Sequence, residues 1–498
     1  AFLIDRSMAA NLKVGVTLTF YYDYNFIITV IMAHLDLMKH FNSTIRERFG
    51  DPILPLDDPH PNMSTVEVIT RECATNSVYC TRATQDLILT QGVNVIAGDF
   101  VTDACEPTGG LSAANYVPHI SMCVGDTLGD RTRYPYTFRN SAPMSDVYDF
   151  MWQYMQYFNF RAAILLYTSD GFGTTLNNIK DNAQQEGRGS AMTSIPLLGS
   201  VPFDELTLAT IAEEISASPT RLIILGCRSD SSDYVHNFLL QYNLTRPKYQ
   251  ILTSAASRNS AVFSTSFIGW HSISAYMSDE DGAVSKWFQM RAAMNQEDIT
   301  SVLDKYGMTA WSPVPYVPSK LPSDEDFSGE LTELVEGFSL MAFNAVNTAF
   351  VAMNQLLNEG YDNDEIRGPL LKAKISSLEV RGIGKNTSFD SNQDAWTVMR
   401  LSQYSNVTLQ YDASSARTIL LPVSDQMIVG TVNGTFPKTI VPILWPDGTY
   451  ATQPPKEYNQ CYPGMFIDAD GSCTECPDGS YSDEFDTEEC TKCELGSY

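Results

Sequence analysis

The chain has 498 residues, 59 of them acidic and 32 basic, giving a formal net charge of −27. One hydrophobic core does not serve such a length, because cores stop growing at about 250–300 residues, and the charge excludes polyanionic partners such as nucleic acid or an anionic membrane surface. With 44% hydrophobic and 18% charged residues, the composition also excludes a disordered chain.

Residues 12–20 (LKVGVTLTF) read as a strand, and 25–39 as a helix with apolar residues near helical spacing. A second strand over 66–71, a helix over 77–90 and a short, wholly apolar strand over 93–96 follow. Strands buried on both faces and alternating with helices predict a parallel sheet covered by helices. The segment 134–145 (YPYTFRNSAPMS), with its prolines and polar residues, is expected to be a crossover outside either core. The alternation resumes with a helix over 150–158, a strand over 161–167 (RAAILLY), a helix over 174–186 and a strand over 221–225 (RLIIL). Two α/β lobes with a cleft between them are the natural packing. A proline-rich, acidic stretch over 311–330 reads as a surface insertion before a helix over 331–357. No stretch reads as apolar enough to span a bilayer; the richest, 337–357, carries Asn344, Asn347 and Asn354 and is expected to be a buried amphipathic helix. The chain opens on the polar residues 1–13, so a signal peptide is expected to have been removed and any membrane anchor to lie beyond Tyr498.

Five of the ten cysteines, Cys73, Cys80, Cys105, Cys123 and Cys227, are spread over the first 450 residues, and five crowd into the last 38. There Cys473-x-x-Cys476 recurs as Cys490-x-x-Cys493, each followed by a Gly-Ser-Tyr, in a Gly- and Asp-rich segment that has no apolar core and needs cross-links. The spacing also matches a zinc ribbon. Cys461 and six glycosylation sequons, at Asn42, Asn62, Asn243, Asn386, Asn406 and Asn433, favour an oxidising, extracellular setting and disulfides over zinc. The expected pairs are Cys461 with Cys473 and Cys476 with Cys490, leaving Cys493 for a cysteine beyond the present end, although sequence does not fix connectivity and Cys227 is an alternative partner. Cys105–Cys123 and Cys73–Cys80 are expected upstream, with Cys227 favoured as a buried thiol.

Catalytic constellations are thin. The six histidines are scattered, and neither H-E-x-x-H nor G-x-S-x-G occurs. Gly171-Phe-Gly173 lacks the third glycine of a dinucleotide loop, and Asp390-Ser-Asn392-Gln-Asp394 has Ala395 and Leu401 where a calcium loop needs glycine and glutamate. No enzymatic activity, cofactor or metal is expected.

An ordered set of segments carries a resemblance. Residues 95–123 (VIAGDFVTDACEPTGGLSAANYVPHISMC) resemble the strand, glycine turn, cysteine, helix and P-x-I-S strand of type I periplasmic-binding-like, or Venus-flytrap, receptor ectodomains, as in natriuretic-peptide receptors and class C G-protein-coupled receptors. The segments 132–139 (TRYPYTFR), 167–173 (YTSDGFG), 343–350 (FNAVNTAF), 382–390 (GIGKNTSFD) and 443–448 (ILWPDG) fit the same template in order, and the tail after Cys461 resembles an ephrin-receptor-like cysteine-rich module. The resemblance implies a two-lobed α/β clamshell, each lobe a mainly parallel sheet flanked by helices. Its lobes are expected at 1–141 with 276–384 and at 142–275 with 385–452, followed by a disulfide-rich stalk from 453 to 498. Amino-acid sensors of this kind place hydroxyl residues where this chain has Cys123-Val124-Gly125-Asp126, which argues against an amino-acid ligand.

The function expected is that of an extracellular ligand-sensing receptor ectodomain for a small molecule or peptide, homo-oligomeric or with a lateral protein partner. The alternative is a structural or adhesive glycoprotein that reuses the fold for assembly. Ligands of open α/β sheets bind beyond the carboxyl ends of the strands. That rule selects Gly98, Asp99, Thr102, Asp103, Gly125 and Asp126 in the first lobe. In the second it selects Ser169, Asp170, Phe172, Arg228, Ser229 and Asp230. Phe172 would stack on a ligand and Arg228 would pair with an anion, while Asp99, Asp170 and Asp230 serve equally well as helix caps.

Overall fold

The computed structural model describes residues 11–493, apart from 19–23, 74–76, 100, 170, 188–191, 199–203, 219, 228, 255–266, 276–280, 295–332, 396–397, 413–416, 432–442, 452, 456–457, 459–460, 462 and 470–472. The 311–330 insertion therefore lies outside the described residues. The chain divides into two compact units, Ala1–Pro143 with Tyr276–Thr397 and Met144–Ala275 with Val398–Tyr498.

In the first unit five parallel strands stand in the order β2-β1-β3-β4-β5. They are β1 (Lys13–Leu18), β2 (Glu67–Glu72), β3 (Val95–Ala97), β4 (His119–Ser121) and β5 (Thr137–Arg139). Val14, Val16, Val68, Ile96, Ile120 and Phe138 are all buried in it. The helices between and beside these strands include α1 (Tyr24–Met38), α2 (Ser43–Phe49), α3 (Ser77–Gln85) and α4 (Thr102–Ala114), and α3 runs on as a π-turn over Asp86–Thr90.

The expectation that 134–145 stays outside either core is corrected. Thr137–Arg139 forms the edge strand β5, and Met144 already begins a helix of the second unit. Burial is the reason: Phe138 is fully enclosed, with its ring 5.0 Å from that of Phe389.

The long helix Glu333–Asn358 packs along α1. By length and composition its stretch Ser339–Asn358 does qualify as a membrane span, with mean hydropathy 1.2, against the sequence expectation, yet 83% of it is buried in this unit. Its asparagines explain how a polar-spotted helix is a core helix. Asn344 donates to Ile383 O (2.9 Å) and accepts from Ile383 N (2.7 Å). Asn354 accepts from His60 N and donates to Asp57 O, both at 2.9 Å, while Asn347 donates to Arg381 O at 3.3 Å. Each side chain satisfies the backbone of a loop crossing the helix, which for the buried Asn344 and Asn354 offsets the cost of burying an amide.

Residues 385–397 belong to the first unit rather than to the second lobe as the sequence suggested. Phe389 against Phe138, Asp394 against Arg139, and the Lys385 ammonium 3.0 Å from Asn140 O hold them there.

In the second unit, β6 (Ala163–Thr168), β7 (Met192–Leu198), β8 (Leu222–Gly226), β9 (Gln250–Ser254) and β10 (His271–Ala275) run parallel. Two 15-residue antiparallel strands, β11 (Val398–Asp412) and β12 (Arg417–Thr431), extend the sheet, in the order β12-β11-β10-β9-β8-β6-β7. Helices α5 (Met144–Tyr157), α6 (Gly171–Gln185), α7 (Glu205–Ala217) and α8 (Ser229–Gln241) accompany it. The sheet core includes Ile164, Leu166, Ile223, Leu225, Ile251 and the buried thiol of Cys227. A second aromatic group joins Trp445 to Phe158, Phe160 and His271.

The cysteine-rich tail is two small hairpins, Met465–Ile467 with Cys473–Glu475 and Ser480–Tyr481 with Thr491–Lys492, stapled by Cys461–Cys473 and Cys476–Cys490. It is fastened to the second unit by Arg161 Nη1 on Asp486 Oδ1 at 2.6 Å. The same oxygen accepts from Cys461 N at 2.8 Å, and Asp486 N returns a bond to Cys461 O at 2.9 Å.

Candidate ligand-binding site

Because the first unit's strands are parallel, their carboxyl ends share one edge. Gly98 leaves β3 there with φ 103°, and a Cβ would lie 2.2 Å from Thr17 O at the end of β1. Only glycine fits that approach. Asp99 follows, fully buried, its carbonyl accepting from Met122 N at 2.9 Å. Two disulfides close around it. Cys105–Cys123 brings its sulfurs to 3.3 and 3.4 Å from Asp99 O, and in Cys73–Cys80 the Cys80 sulfur lies 3.9 Å from Asp99 Oδ2. Cys73, Cys80 and Asp99 are close enough to suggest a metal trio, but both sulfurs are spent on the disulfide.

Thr102, half-buried, and Asp103, exposed, open α4, whose N-cap Val101 makes no side-chain capping bond. Gly125 lies against them: a Cβ there would stand 2.3 Å from Thr102 Cγ2. The loops after β3 and β4 therefore meet, and Gly98, Asp99, Thr102, Asp103, Gly125 and Asp126 belong to one edge.

Sequence reading missed what holds that edge. Arg139, at the end of β5, donates to Gly125 O at 2.9 Å and lies 3.8 Å from Asp126 Oδ1. His119 is buried beneath, its Nε2 hydrogen-bonded to Gly98 O. Burial lowers its pKa to about 4, outweighing the upward pull of the carbonyl. The imidazole is thus neutral, with the proton on Nε2, because a carbonyl only accepts. The sequence signal for both was weak: one arginine and one histidine inside three-residue strands that hold a single apolar side chain each.

In the second unit β6 and β8 end side by side at Thr168 and Gly226. Ser169 is exposed just past β6, and Phe172 is half-buried in the first turn of α6. At Gly173 a Cβ would fall 2.1 Å from Thr168 O and 2.5 Å from Gly226 O, so the helix sits directly on both strand ends. Asp170 and Arg228 lie outside the described residues. Ser229 and Asp230 begin α8, and their side chains are likewise outside the description.

Each unit taken by itself thus offers a helix N-terminus and an adjoining strand-end loop, an arrangement whose backbone N–H groups suit anionic or strongly hydrogen-bonding ligand atoms. Residues 57–403 match the model of the receptor family ligand binding region. The chain belongs to that family. The matched span runs through parts of both units and ends before the cysteine-rich tail. No curated protein sequence matches the chain. The family's region binds ligands, and the four disulfides are consistent with an extracellular location.

Among the sequon asparagines, Asn42, Asn62, Asn243 and Asn386 are exposed. Asn42 uses its Oδ1 to cap α2, leaving Nδ2 outside those bonds, whereas Asn62 Nδ2 donates to Asn363 Oδ1 at 3.1 Å. The Asn406 side chain and Asn433 lie outside the described residues.

Proposed function

We propose that this chain is the extracellular ligand-sensing region of a cell-surface receptor and has no catalytic role. The observation that carries the reading is the receptor-family match running through both units. Ligand engages the loops after β3 and β4 together with those after β6 and β8, and the units close on it. Closure passes to the cysteine-rich tail, an ephrin-receptor-like stalk, through the Arg161–Asp486 junction. The ligand is a small molecule or a peptide. The exposed sequons carry glycans, and the receptor works as a homo-oligomer or beside a lateral partner. A ligand can drive closure only by its differential affinity for the closed state.

A second reading, an assembly glycoprotein without a ligand, is favoured by the burial of Asp99 and by Gly125 O being spent on Arg139. Mass spectrometry of molecules released from the native protein, followed by hydrogen exchange with and without the released molecule, separates the two. Sensing requires protection at 98–103, 122–126 and 168–173. A protein that releases nothing, binds nothing from a metabolite and peptide panel and self-associates through other surfaces is an assembly module.

A further inference from the structure

We propose that the first unit carries a second, separate small-molecule site that takes a zwitterion with an apolar body, in the pocket between the helix Gly368–Ser377 and the turn at 389–393. The pocket has a volume of about 450 Å³, within the roughly 300–1,000 Å³ range of small-ligand sites. Arg131, Pro135, Lys372, Ser376, Phe389 and Asp390 are among the residues that line it, all from one unit and none from the loops of the expected site, and the Arg131 guanidinium already faces Asp394 at 3.3 Å. It lies toward the amino end of β5, since residue 394 pairs with Arg139 in parallel and Gln393 Nε2 reaches Pro135 O at 3.4 Å.

The walls are fixed. Phe389 is braced by the buried Phe138 ring, 5.0 Å away. Lys372 Nζ stands 5.1 Å from the centre of the Tyr136 ring, and among the described residues no carboxylate pairs with it. A desolvated face of tyrosine steadies a cation without neutralising it. Asp390 Oδ1 accepts from Asn392 N (2.8 Å) and Asp394 N (3.0 Å), which anchors the carboxylate and leaves Oδ2 outside those bonds. Ser376 Oγ donates to Lys372 O at 3.0 Å and keeps its acceptor capacity.

Charge selects the ligand class. A simple anion meets Asp390 and a protein of net charge −27, and a simple cation meets Lys372 and Arg131. A molecule bearing both charges satisfies both walls, and the strip formed by Phe389 and Pro135 takes a ring or an aliphatic chain. This site does not depend on the sensing function proposed above.

The test is calorimetric or ligand-observed NMR titration of the whole chain with L-phenylalanine, 3-phenylpropionate and 2-phenylethylamine as probes. Saturable binding of L-phenylalanine is expected, at least fivefold tighter than either single-charge analogue. Lys372→Met and Asp390→Asn should each weaken it at least fivefold, and Phe389→Ala about tenfold. Lys372 is on a helix surface and asparagine retains the Oδ1 acceptor of Asp390, so these two variants should keep wild-type circular dichroism. Absence of saturable binding, equal affinity for the three probes, or wild-type affinity in both charge variants overturns the proposal.

Discussion

Arg139 and Asp394, 255 positions apart in sequence, form a two-pronged ion pair, Nε to Oδ1 at 2.5 Å and Nη2 to Oδ2 at 2.6 Å. The side chains are only 4% and 13% exposed, so water screens the pair weakly. Asp394 Oδ1 also takes Arg131 Nη2 at 3.3 Å, so removing Asp394 strands the buried Arg139 guanidinium, at a cost of about 3–5 kcal/mol, while an Arg139 variant leaves Asp394 facing Arg131. Asp394→Asn should lower the urea midpoint of the first unit strongly and Arg139→Met less, and adding Arg139→Met to Asp394→Asn should recover part of the loss. Equal destabilisation by the single and double variants would show that the pair is not the operative contact.

Acid sensitivity should begin well above the carboxylate range. His119 in the first unit and His271 in the second are buried, and burial depresses their pKa values from 6.5 to about 4 and about 3. A depressed folded pKa means that the unfolded chain takes up the proton first. Stability is therefore fully present above pH 6.5 and falls as pH drops below it, by up to about 1.4 kcal/mol per pH unit for each histidine. Thermal midpoints measured between pH 7.5 and 5 should decline, and less steeply in His119→Gln. A flat profile across that window would be incompatible with neutral buried imidazoles.

The tail junction separates two kinds of contact on one carboxylate. Arg161 and Asp486 are 29% and 42% exposed, so their ion pair is worth at most about 1 kcal/mol. Asp486 also accepts from the backbone N–H of the buried Cys461. Asp486→Ala should consequently open the tail to limited proteolysis much more than Arg161→Ala does, with little effect on the melting of either unit. Identical cleavage rates in the two variants would assign the docking to the ion pair alone.

Cys105–Cys123 closes a loop with a sequence separation of 18. Loops of that size contribute roughly 3 kcal/mol in the chain-entropy model. Substituting both cysteines by alanine should lower the first unit's midpoint by several degrees while the second unit's transition stays in place. A shift in both transitions would count against two independently cooperative units.

What the sequence made legible follows from periodicity. β3, β6 and β8 are buried on both faces, so they read as mainly apolar runs with helices between them. β5 escaped because its three residues sit among prolines and polar side chains, and only Phe138 betrays its burial. β11 and β12 escaped for another reason: their register shifts between Leu401 and Ser402 and between Tyr404 and Asn406, and each shift resets the two-residue alternation. At the candidate site, the strand-end rule selected loops that meet in the first unit, Thr102 against Gly125. It did not find Arg139, His119 or Asp394, because their roles arise from partners distant in sequence and no local spacing encodes such a partner.

The asparagines of the long helix have a consequence before any folding takes place. A chain threaded across a membrane during synthesis is sorted by the hydropathy of each passing stretch, and polar amides in the middle of an apolar stretch weigh against lateral escape into lipid. Ser339–Asn358 has a mean hydropathy of only 1.2, and Asn344, Asn347 and Asn354 fall within it. Leucine at those three positions would do more than unfasten loops from a folded helix. It would turn a core segment into a stop-transfer signal, leaving the preceding and following parts of one sheet on opposite sides of a bilayer.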